Sequence, residues 1–384
     1  MSVKQYLLGL VGLVAFVCQD APTVTWSQPV LINDVPVFTD TGPVTHAGGT
    51  DARASGRYGS EYGRMLHRPN GTWLAAYTVS RNNGYQRDPK GGLELEVAQS
   101  VDNGQSWRSI ATLTDPGRDL DNAQLCQLPD GDVLLACRSV RWQESYRLPV
   151  YKSTDGGKTW ANVSTIDSAE GTPGSLGKPD KGMYEPHVAL LGDGRLAVFY
   201  ANEKHVTETP SYSQIISQKL STDGGANWGP EIWVAYAPGH GSSRPGMPVW
   251  ERLKDGRYMV VYEVCGPEKC NVYYKISSNG YQWPVGLGTL IPDQLGGPYL
   301  LVLDDGRLLV TSNSSHVSIS SDDGQTWQRL TDAWPRSLWS SLYQAGPNRI
   351  VAMNSVERTA GGHNVQIRFG QLSPAVTQPP TKHR

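Results

Sequence analysis

The sequence has few charged residues and no region in which charge of one sign accumulates. Only 18% of its 384 residues are Asp, Glu, Lys or Arg, and the formal net charge is −2. No basic stripe interleaves with aromatic residues, so the electrostatic pattern typical of nucleic-acid-binding proteins is missing. We therefore expect a neutral partner, such as a polysaccharide or oligosaccharide, and no nucleic acid.

Long apolar runs are lacking beyond the N-terminus. Lys4 and the apolar run over residues 6–17 predict a signal peptide at residues 1–20, which is too short to remain as a membrane anchor. Nothing after it resembles a transmembrane helix, so we expect a secreted, extracellular protein with no membrane partner. Three acceptor sequences for N-glycosylation agree with secretion: those at Asn70, Asn162 and Asn313.

Cysteine is scarce, with four residues besides Cys18. Cys265 and Cys270 are close enough in sequence to close a turn, and we expect a disulfide between them in an oxidising compartment. Cys126 and Cys137 flank a predicted hairpin, where a second disulfide and two buried free thiols remain alternatives. Neither spacing matches a metal knuckle and no histidine cluster lies nearby, so we expect no metal and no cofactor.

Turn-forming and aromatic residues are abundant, with 42 Gly, 26 Pro, 12 Trp and 18 Tyr, which is typical of many short strands joined by tight turns. The motif Ser-x-Asp-x-Gly-x-x-Trp occurs in four full copies, which begin at Ser100, Ser153, Ser221 and Ser320. A degenerate fifth copy begins at Ser278. This motif resembles the Asp-box of sialidase-like propellers, in which Asp and Ser accept backbone hydrogen bonds and Gly takes a positive φ. We interpret these aspartates as structural.

A second repeat consists of two apolar strands joined by a tight turn. It recurs six times, around Gly71, Gly131, Gly194, Gly256, Gly306 and Asn348. Six hairpins, most of them followed by an Asp-box, predict an all-β fold: a monomeric six-bladed β-propeller over residues 21–372. Residues 23–58 are expected to supply a strand that closes the last blade, and residues 373–384 to form a disordered tail. The earlier blades carry the longer insertions, which predicts a binding site on that face.

The hairpin repeat also serves to find equivalent positions. The first ring, nine residues before each turn, consists of Tyr62, Asn122, Glu185, Met247, Gly297 and Trp339. The second ring, seven residues after each turn, consists of Thr78, Arg138, Ala201, Glu263, Asn313 and Ser355. Equivalent positions of a radial fold lie at equal height, so both rings are predicted to lie at one mouth of the propeller. Each ring contains a single carboxylate, Glu185 in the first and Glu263 in the second.

These two glutamates are the predicted catalytic residues. A carboxylate at the end of a buried strand needs a partner or a function, and a structural alternative is that Glu263 pairs with Arg138 or Arg244. Glycoside hydrolysis requires one protonated acid and one ionised nucleophile or base that converge on the substrate. A retaining pair would place the carboxyl groups of Glu185 and Glu263 roughly 5 to 6 Å apart. The sequence leaves open which of them is the acid.

Aromatic and polar residues near the predicted mouth are expected to contact the substrate. The predicted substrate-binding residues are Tyr62, Arg64, Asn122, Arg138, Tyr184, Arg244, Tyr299 and Trp339. Trp142 and Tyr262 are further candidates for stacking against sugar rings.

Two segments resemble a known family. The stretch Met183-Tyr-Glu-Pro-His187, and Arg244-Pro-Gly-Met-Pro248 followed by the strand that ends at Glu263, resemble glycoside hydrolase family 93, the exo-α-1,5-L-arabinanases. The resemblance covers about residues 55–355. It implies a retaining exo-glycosidase that releases arabinobiose from linear arabinan, with Glu185 and Glu263 as its catalytic groups. It also implies an assisting tyrosine within residues 337–343.

Two other function classes are alternatives. A sialidase requires an arginine cluster that binds a carboxylate bidentately and a tyrosine nucleophile. Arg64, Arg138 and Arg244 form a partial cluster, but Tyr62-Gly-Arg64-Met stands where the sialidase segment Arg-Ile-Pro is expected. A non-catalytic propeller that binds carbohydrate or protein would not depend on the two glutamates. Assays on linear arabinan and on sialyl-lactose separate these classes.

Overall fold

The computed structural model consists of six antiparallel β-sheets arranged as the blades of a propeller, with two two-stranded sheets in its N-terminal segment. The structure describes residues 21–36, 59–81, 85, 90–359 and 361–374, together with the backbone of short strands between residues 38 and 58. The predicted signal peptide, and the predicted tail from residue 375 onward, lie outside the described residues.

The strands follow one another blade by blade along the chain. The N-terminal segment contains β1 (Val24–Trp26), β2 (Val30–Leu31), β3 (Phe38–Thr39), β4 (Val44–His46), β5 (Gly49–Asp51) and β6 (Arg57–Tyr58). The two two-stranded sheets of this segment are β3 with β6 and β4 with β5. Blade 1 consists of β7 (Ser60–His67), β8 (Trp73–Val79), β9 (Glu94–Ser100) and β10 (Arg108–Leu113). Blade 2 consists of β11 (Asp119–Gln127), β12 (Val133–Arg141), β13 (Ser145–Ser153) and β14 (Ala161–Glu170).

The remaining blades repeat this pattern. Blade 3 consists of β15 (Met183–Leu190), β16 (Leu196–Asn202), β17 (Ile215–Ser221) and β18 (Ile232–Ala235), with the 3₁₀ turn Lys204–Thr207 after β16. Blade 4 consists of β19 (Arg244–Arg252), β20 (Tyr258–Cys265), β21 (Asn271–Ser277) and β22 (Thr289–Leu295). Blade 5 consists of β23 (Tyr299–Val302), β24 (Leu308–Thr311), β25 (Val317–Ser320) and β26 (Gln328–Arg329). Blade 6 contains β27 (Ser341–Gly346), β28 (Arg349–Glu357) and β29 (His363–Leu372).

The N-terminal strand closes the ring. In blade 6, β1 pairs with β29, so that Val24 lies opposite Leu372, and this makes β1 the outermost strand. The backbone N–H of Ser373 also donates to the carbonyl oxygen of Thr23 at 2.9 Å. The prediction that residues 23–58 complete the last blade is therefore confirmed. This pairing covers an edge that would otherwise expose unpaired backbone groups.

The core lies between neighbouring blades, where apolar faces of the twisted sheets meet. Between blades 3 and 4, Trp250 packs against Phe199 with ring centroids 5.3 Å apart. Tyr262 belongs to the same cluster, is fully buried, and donates its hydroxyl hydrogen to the carbonyl oxygen of Leu287. The interpretation of Tyr262 as a sugar-stacking residue is wrong, because side chains alternate along β20 and only its neighbour Glu263 faces the mouth.

The Asp-boxes hold turns, as the sequence predicts. In the first box the Ser100 hydroxyl accepts from the N–H of Gly104 at 2.8 Å, and Asp102 accepts from the N–H of Ser106 at 2.9 Å. The hydroxyl of Ser106, followed by its N–H, donates to the carboxylate and lowers the pKa of the exposed Asp102 to about 2. In the degenerate fifth copy the hydroxyl that accepts from the N–H of Gly280 belongs to Ser277, so that box begins one residue earlier than predicted.

The cysteines adopt two different states. The disulfide between Cys265 and Cys270 is present, which confirms the prediction. Cys126 and Cys137 are free and buried, and they pack in different core clusters, so the alternative of a second disulfide is wrong.

Neither a membrane span nor a metal cluster occurs within the described part of the chain. No helix there is long and apolar enough to cross a membrane. No group of three or more His, Cys, Asp or Glu side chains in the described ranges is placed to hold a metal ion.

Candidate active site

The first ring shares one unusual backbone conformation. All six residues have a φ between 48° and 58°, and five of them are not glycine: Tyr62, Asn122, Glu185, Met247 and Trp339. In blades 1 to 4 each such residue lies within a shift of register between the innermost strand and its neighbour. A non-glycine residue in this region costs about 1 kcal/mol, and strained bulges cluster at functional sites. The equivalence that the repeat predicted is therefore present in the structure.

The two rings are joined by hydrogen bonds between blades. The N–H groups of Gly297, Trp339 and Tyr62 donate to second-ring side chains of the preceding blade. Their respective acceptors are Glu263 at 2.6 Å, Asn313 at 3.0 Å and Ser355 at 3.0 Å. In blade 3 the second-ring residue is an alanine, and the N–H of Met247 donates instead to Glu185 Oε2 at 2.8 Å. Each glutamate is thus fixed by a backbone donor of the next blade.

Glu185 and Glu263 meet across Gly246. A methyl carbon placed on Gly246 would lie 3.7 Å from Glu185 Oε2 and 3.6 Å from Glu263 Oε1. These two oxygens are therefore at most about 7.3 Å apart, the sum of the two distances, and this limit admits the spacing of roughly 5 to 5.5 Å found in retaining glycosidases as well as the shortest spacings of inverting ones. Gly246 places no side chain between the two carboxylates, and the amide nitrogen of Gln214 borders the same space.

Burial raises the pKa of both carboxyl groups. Burial, with a further contribution from the charge of Glu263, raises the pKa of Glu185 to about 7. Burial also raises the pKa of Glu263, but the N–H of Gly297 and the charge of Arg244 oppose that rise. An acid and an ionised group can therefore coexist near neutral pH.

The three predicted arginines are already engaged. The Arg138 guanidinium donates to Asp121 at 2.7 Å, and both side chains are buried. The Arg64 guanidinium donates to the carbonyl oxygens of Gly63 at 2.8 Å and Trp339 at 3.1 Å. Neither arginine pairs with Glu263. Arg138 is therefore excluded as the structural partner of Glu263, and Arg244 is the remaining candidate.

Arg244 has partners of its own. Its guanidinium pairs with Glu203 and donates to Gln214 Oε1 at 2.9 Å. Glu203 is buried, and it also accepts from the N–H of Gly182 at 2.8 Å and from the hydroxyl of Tyr184 at 3.2 Å. Arg244 therefore bonds to Glu203 and Gln214 rather than to Glu263, although its charge influences that carboxylate.

The predicted aromatic residues occupy three different environments. Trp142 and Tyr184 stack with centroids 6.4 Å apart, and the Arg138 guanidinium lies 5.1 Å from the Trp142 ring. Tyr62 lies 5.8 Å from Trp339 at the opposite side of the mouth. Tyr299 is only 4% exposed beneath Arg64, so it supports the arginine more than it presents a surface to a sugar.

The segment 337–343 contains one tyrosine, Tyr343. Its hydroxyl oxygen accepts from the N–H of Met65 at 2.8 Å, and its ring lies 5.5 Å from that of Tyr299. Tyr343 thus lies on β27, the strand of blade 6 farthest from β1, beside Tyr299 and Arg64.

Several polar atoms near Glu185 are buried without a hydrogen-bond partner among the described residues. They are Asn122 Oδ1, Arg138 Nε and His187 Nδ1. Burial lowers the pKa of His187 to about 3, so its ring is neutral near pH 7. Buried polar groups normally have partners, so these atoms favour a polar ligand in the mouth.

The sequence reasoning missed four residues of this site: Asp121, His187, Glu203 and Gln214. Asp121 directly precedes the ring residue Asn122, and Glu203 lies two residues after the ring residue Ala201. His187 lies two residues after Glu185. A search for acidic residues next to the ring positions would have found Asp121 and Glu203. Gln214 could not be found from the sequence, because it reaches Arg244 through a loop whose path the repeat does not specify.

The repeats, the six blades and the ring geometry point to a single family. The model of the BNR repeat-like domain matches residues 19–337. The chain belongs to the BNR repeat-like domain family. No curated protein matches it significantly.

Several solved structures are similar to this chain of the BNR repeat-like domain family. An α-L-arabinanase of Penicillium chrysogenum in complex with arabinobiose is 22% identical, with a TM-score of 0.72 over 90% of this chain and 98% of that one. The GH93 α-L-arabinofuranosidase of Fusarium graminearum with arabinobiose is 21% identical, with a TM-score of 0.71 over 90% and 97%. A sialidase of Streptococcus pneumoniae is 10% identical, with a TM-score of 0.59 over 89% and 71%. At these identities the likeness establishes the fold.

Proposed function

We propose that this protein is a retaining glycoside hydrolase in which Glu185 and Glu263 are the catalytic residues. The observation that carries the proposal is the pair of half-buried carboxylates on either side of Gly246, each fixed by a backbone donor. Two carboxyl groups this close, at most about 7.3 Å apart and with raised pKa values, suit hydrolysis of a glycosidic bond, and the retaining outcome is supported by the resemblance to family 93.

The electrostatics of the pair favours Glu185 as the acid and Glu263 as the nucleophile. In the first step a Glu263 oxygen attacks the anomeric carbon, the glycosidic bond breaks, and the proton of Glu185 passes to the leaving oxygen. In the second step Glu185, now ionised, takes a proton from water. That water oxygen attacks the anomeric carbon, and the Glu263 carboxylate is released with net retention of configuration.

The charges around the mouth favour a neutral substrate over a sialic acid. Binding a substrate carboxylate bidentately requires guanidinium donors that are free to converge on it. Here Arg138 and Arg244 already bond to Asp121 and Glu203, and Arg64 donates to two carbonyl oxygens. Burial also raises the pKa of the Tyr62 and Tyr299 hydroxyls, which disfavours a tyrosinate nucleophile.

Linear α-1,5-L-arabinan is the substrate we propose, with arabinobiose as the product. Its support is the resemblance of residues 183–187 and 244–248 to family 93, together with the shared fold of two enzymes solved with arabinobiose. Exo attack is supported by the long insertions of the early blades, which would close one end of the cleft. We also propose secretion as a monomer, and the disulfide between Cys265 and Cys270 agrees with an oxidising compartment.

Hydrolysis of linear arabinan, followed by chromatography from the first minute, tests this function. We expect a short product to accumulate while the polymer peak shrinks slowly. A random ladder of long fragments would exclude exo attack, and cleavage of sialyl-lactose in place of arabinan would favour the sialidase class. Binding of arabinan without turnover, unchanged in Glu185→Gln and Glu263→Gln, would show a non-catalytic propeller.

A further inference from the structure

The loop between β16 and β17 borders the mouth with both of its ends. The 203–214 loop begins with Glu203 and ends with Gln214, and these two side chains are the ones that hold Arg244. The Gln214 side-chain nitrogen also donates to the carbonyl oxygen of Pro245 at 2.8 Å. It would lie 2.8 Å from a methyl carbon on Gly246, which places the loop directly beside the two carboxylates.

The start of this loop is anchored through His205, which is 8% exposed. Its Nε2 lies 3.1 and 3.2 Å from the two carboxylate oxygens of Glu231, outside the loop. Its Nδ1 lies 2.8 Å from Glu208 Oε1. The two groups form an ion pair when the ring is protonated, but the geometry does not make a hydrogen bond. The ring also packs edge-on against Trp233 with centroids 4.6 Å apart.

Glu231 connects this anchor to both ends of the loop. Besides His205, it accepts from the side-chain amide of Asn202 at 2.6 Å and from the hydroxyl of Ser217 at 2.5 Å. Asn202 precedes the loop and Ser217 follows it. A single carboxylate, that of Glu231, therefore ties the start of the loop to the strands that precede and follow it.

We propose that His205 is a positioning residue for the reaction. By clamping the 203–214 loop to Glu231, it holds Gln214 and Glu203 against Arg244 and so shapes the wall of the cleft. The catalytic pair keeps its own backbone donors, so loosening the clamp weakens substrate binding and leaves the chemical step almost unchanged. The kinetic part of this inference rests on the proposed glycosidase function.

The clamp depends on pH. The charged groups that face His205 are Glu231 and Glu208, whereas the neighbouring Lys204 bonds to Asp167 at 2.7 Å. The hydrogen bond to Glu231 is the main reason why the pKa of His205 is raised above its usual value. A raised folded-state pKa means that the ionic contribution to the clamp is complete below about 6.5, the ordinary value for His, and is lost as pH rises through the folded-state pKa.

The test is His205→Gln, assayed for kcat and KM at about pH 5.5 and about pH 8.5. We expect KM to rise about tenfold at the lower pH with kcat changed less than about threefold, and the difference from wild type to shrink at the higher pH. His67→Gln is the control. His67 lies at the last position of β7, away from the ring residue Tyr62 near the start of that strand, and it stacks on Trp73. The KM of this control variant should equal that of wild type at both pH values.

A double variant tests whether His205 acts through the loop. His205→Gln combined with Gln214→Ala should have the KM of Gln214→Ala alone, since coupled residues are not additive. Additive effects on KM, or a wild-type KM for His205→Gln at about pH 5.5, would overturn the proposal.

Hydrogen exchange of the 203–214 peptide in the full chain gives a readout that needs no substrate. We expect faster exchange in His205→Gln than in wild type and in His67→Gln at the same pH. Unchanged exchange would overturn the clamp, whereas failure of the wild-type protein to hydrolyse arabinan would overturn the proposed function and leave this result standing.

Discussion

Gly246→Ala places a single methyl group at the point where the two carboxylates meet. The φ of Gly246 lies outside the left-handed region, so alanine can adopt the same backbone, and the effect is steric. The new carbon would lie 2.8 Å from Gln214 Nε2, closer than carbon and nitrogen can approach, and in van der Waals contact with Glu185 and Glu263.

The size of the effect follows from these contacts. Gln214 has to move, although its amide bonds to the carbonyl oxygen of Pro245 and to Arg244, and a typical hydrogen bond contributes about 1 kcal/mol. Together with overpacking, this predicts a loss of about 1 to 3 kcal/mol in the free energy of unfolding. A displacement of about 1 Å at the reacting centre can reduce the rate about 100-fold, so we expect kcat/KM to fall by about that factor.

The assay compares kcat/KM and the urea unfolding midpoint for Gly246→Ala and Gly229→Ala. Gly229 is a suitable control, because a methyl group there meets only the carbonyl oxygen of Leu220 at 3.4 Å. We expect the control to retain wild-type values in both measurements. A kcat/KM within about twofold of wild type for Gly246→Ala would refute the reasoning that the space between the carboxylates receives the substrate.

Three further predictions follow from charge and covalent structure. Asp121→Asn removes the partner of the buried Arg138 cation and should lower the free energy of unfolding by about 3 kcal/mol in urea titrations; no loss would contradict the pairing. In a pH series, kcat/KM should fall as pH rises through about 7, because Glu185 loses the proton that it donates; a flat alkaline side would count against Glu185 as the acid. Replacing Cys265 and Cys270 with serine should cost about 2 kcal/mol in thermal unfolding, and an unchanged midpoint would argue against the disulfide.

The ring positions were predictable because a repeat carries its own register. Counting from each turn located six residues that share a φ near 50°, although nothing in the composition of Tyr62, Met247 or Trp339 suggests a common role. The closing strand was predictable for a similar reason, since an unpaired edge in the last blade needs a partner. The first inference used the constant spacing of the repeat, and the second used the requirement that the edge of the last blade be paired.

The contacts of Arg244 were not predictable, because they depend on the path of a loop. Asp121 reaches Arg138 within one blade, but Glu203 and Gln214 reach Arg244 only through a loop whose path the repeat does not specify. The misassignment of Tyr262 had a simpler cause. Strand alternation places it on the opposite face from Glu263, and this rule was available from the sequence.

Azide rescue of the two glutamate variants tests the central claim most directly. With a substrate that carries a good leaving group, Glu263→Gly should regain turnover in azide and yield a glycosyl azide of inverted configuration, since azide replaces the nucleophile. Glu185→Gly should instead yield the azide of retained configuration, because the covalent intermediate still forms on Glu263. Each variant without azide should lose about 1000-fold or more in kcat, with the fold intact by circular dichroism. Wild-type activity in either variant without azide would contradict the two-glutamate account, and the reverse pattern of azide products would contradict the assignment of Glu185 as the acid.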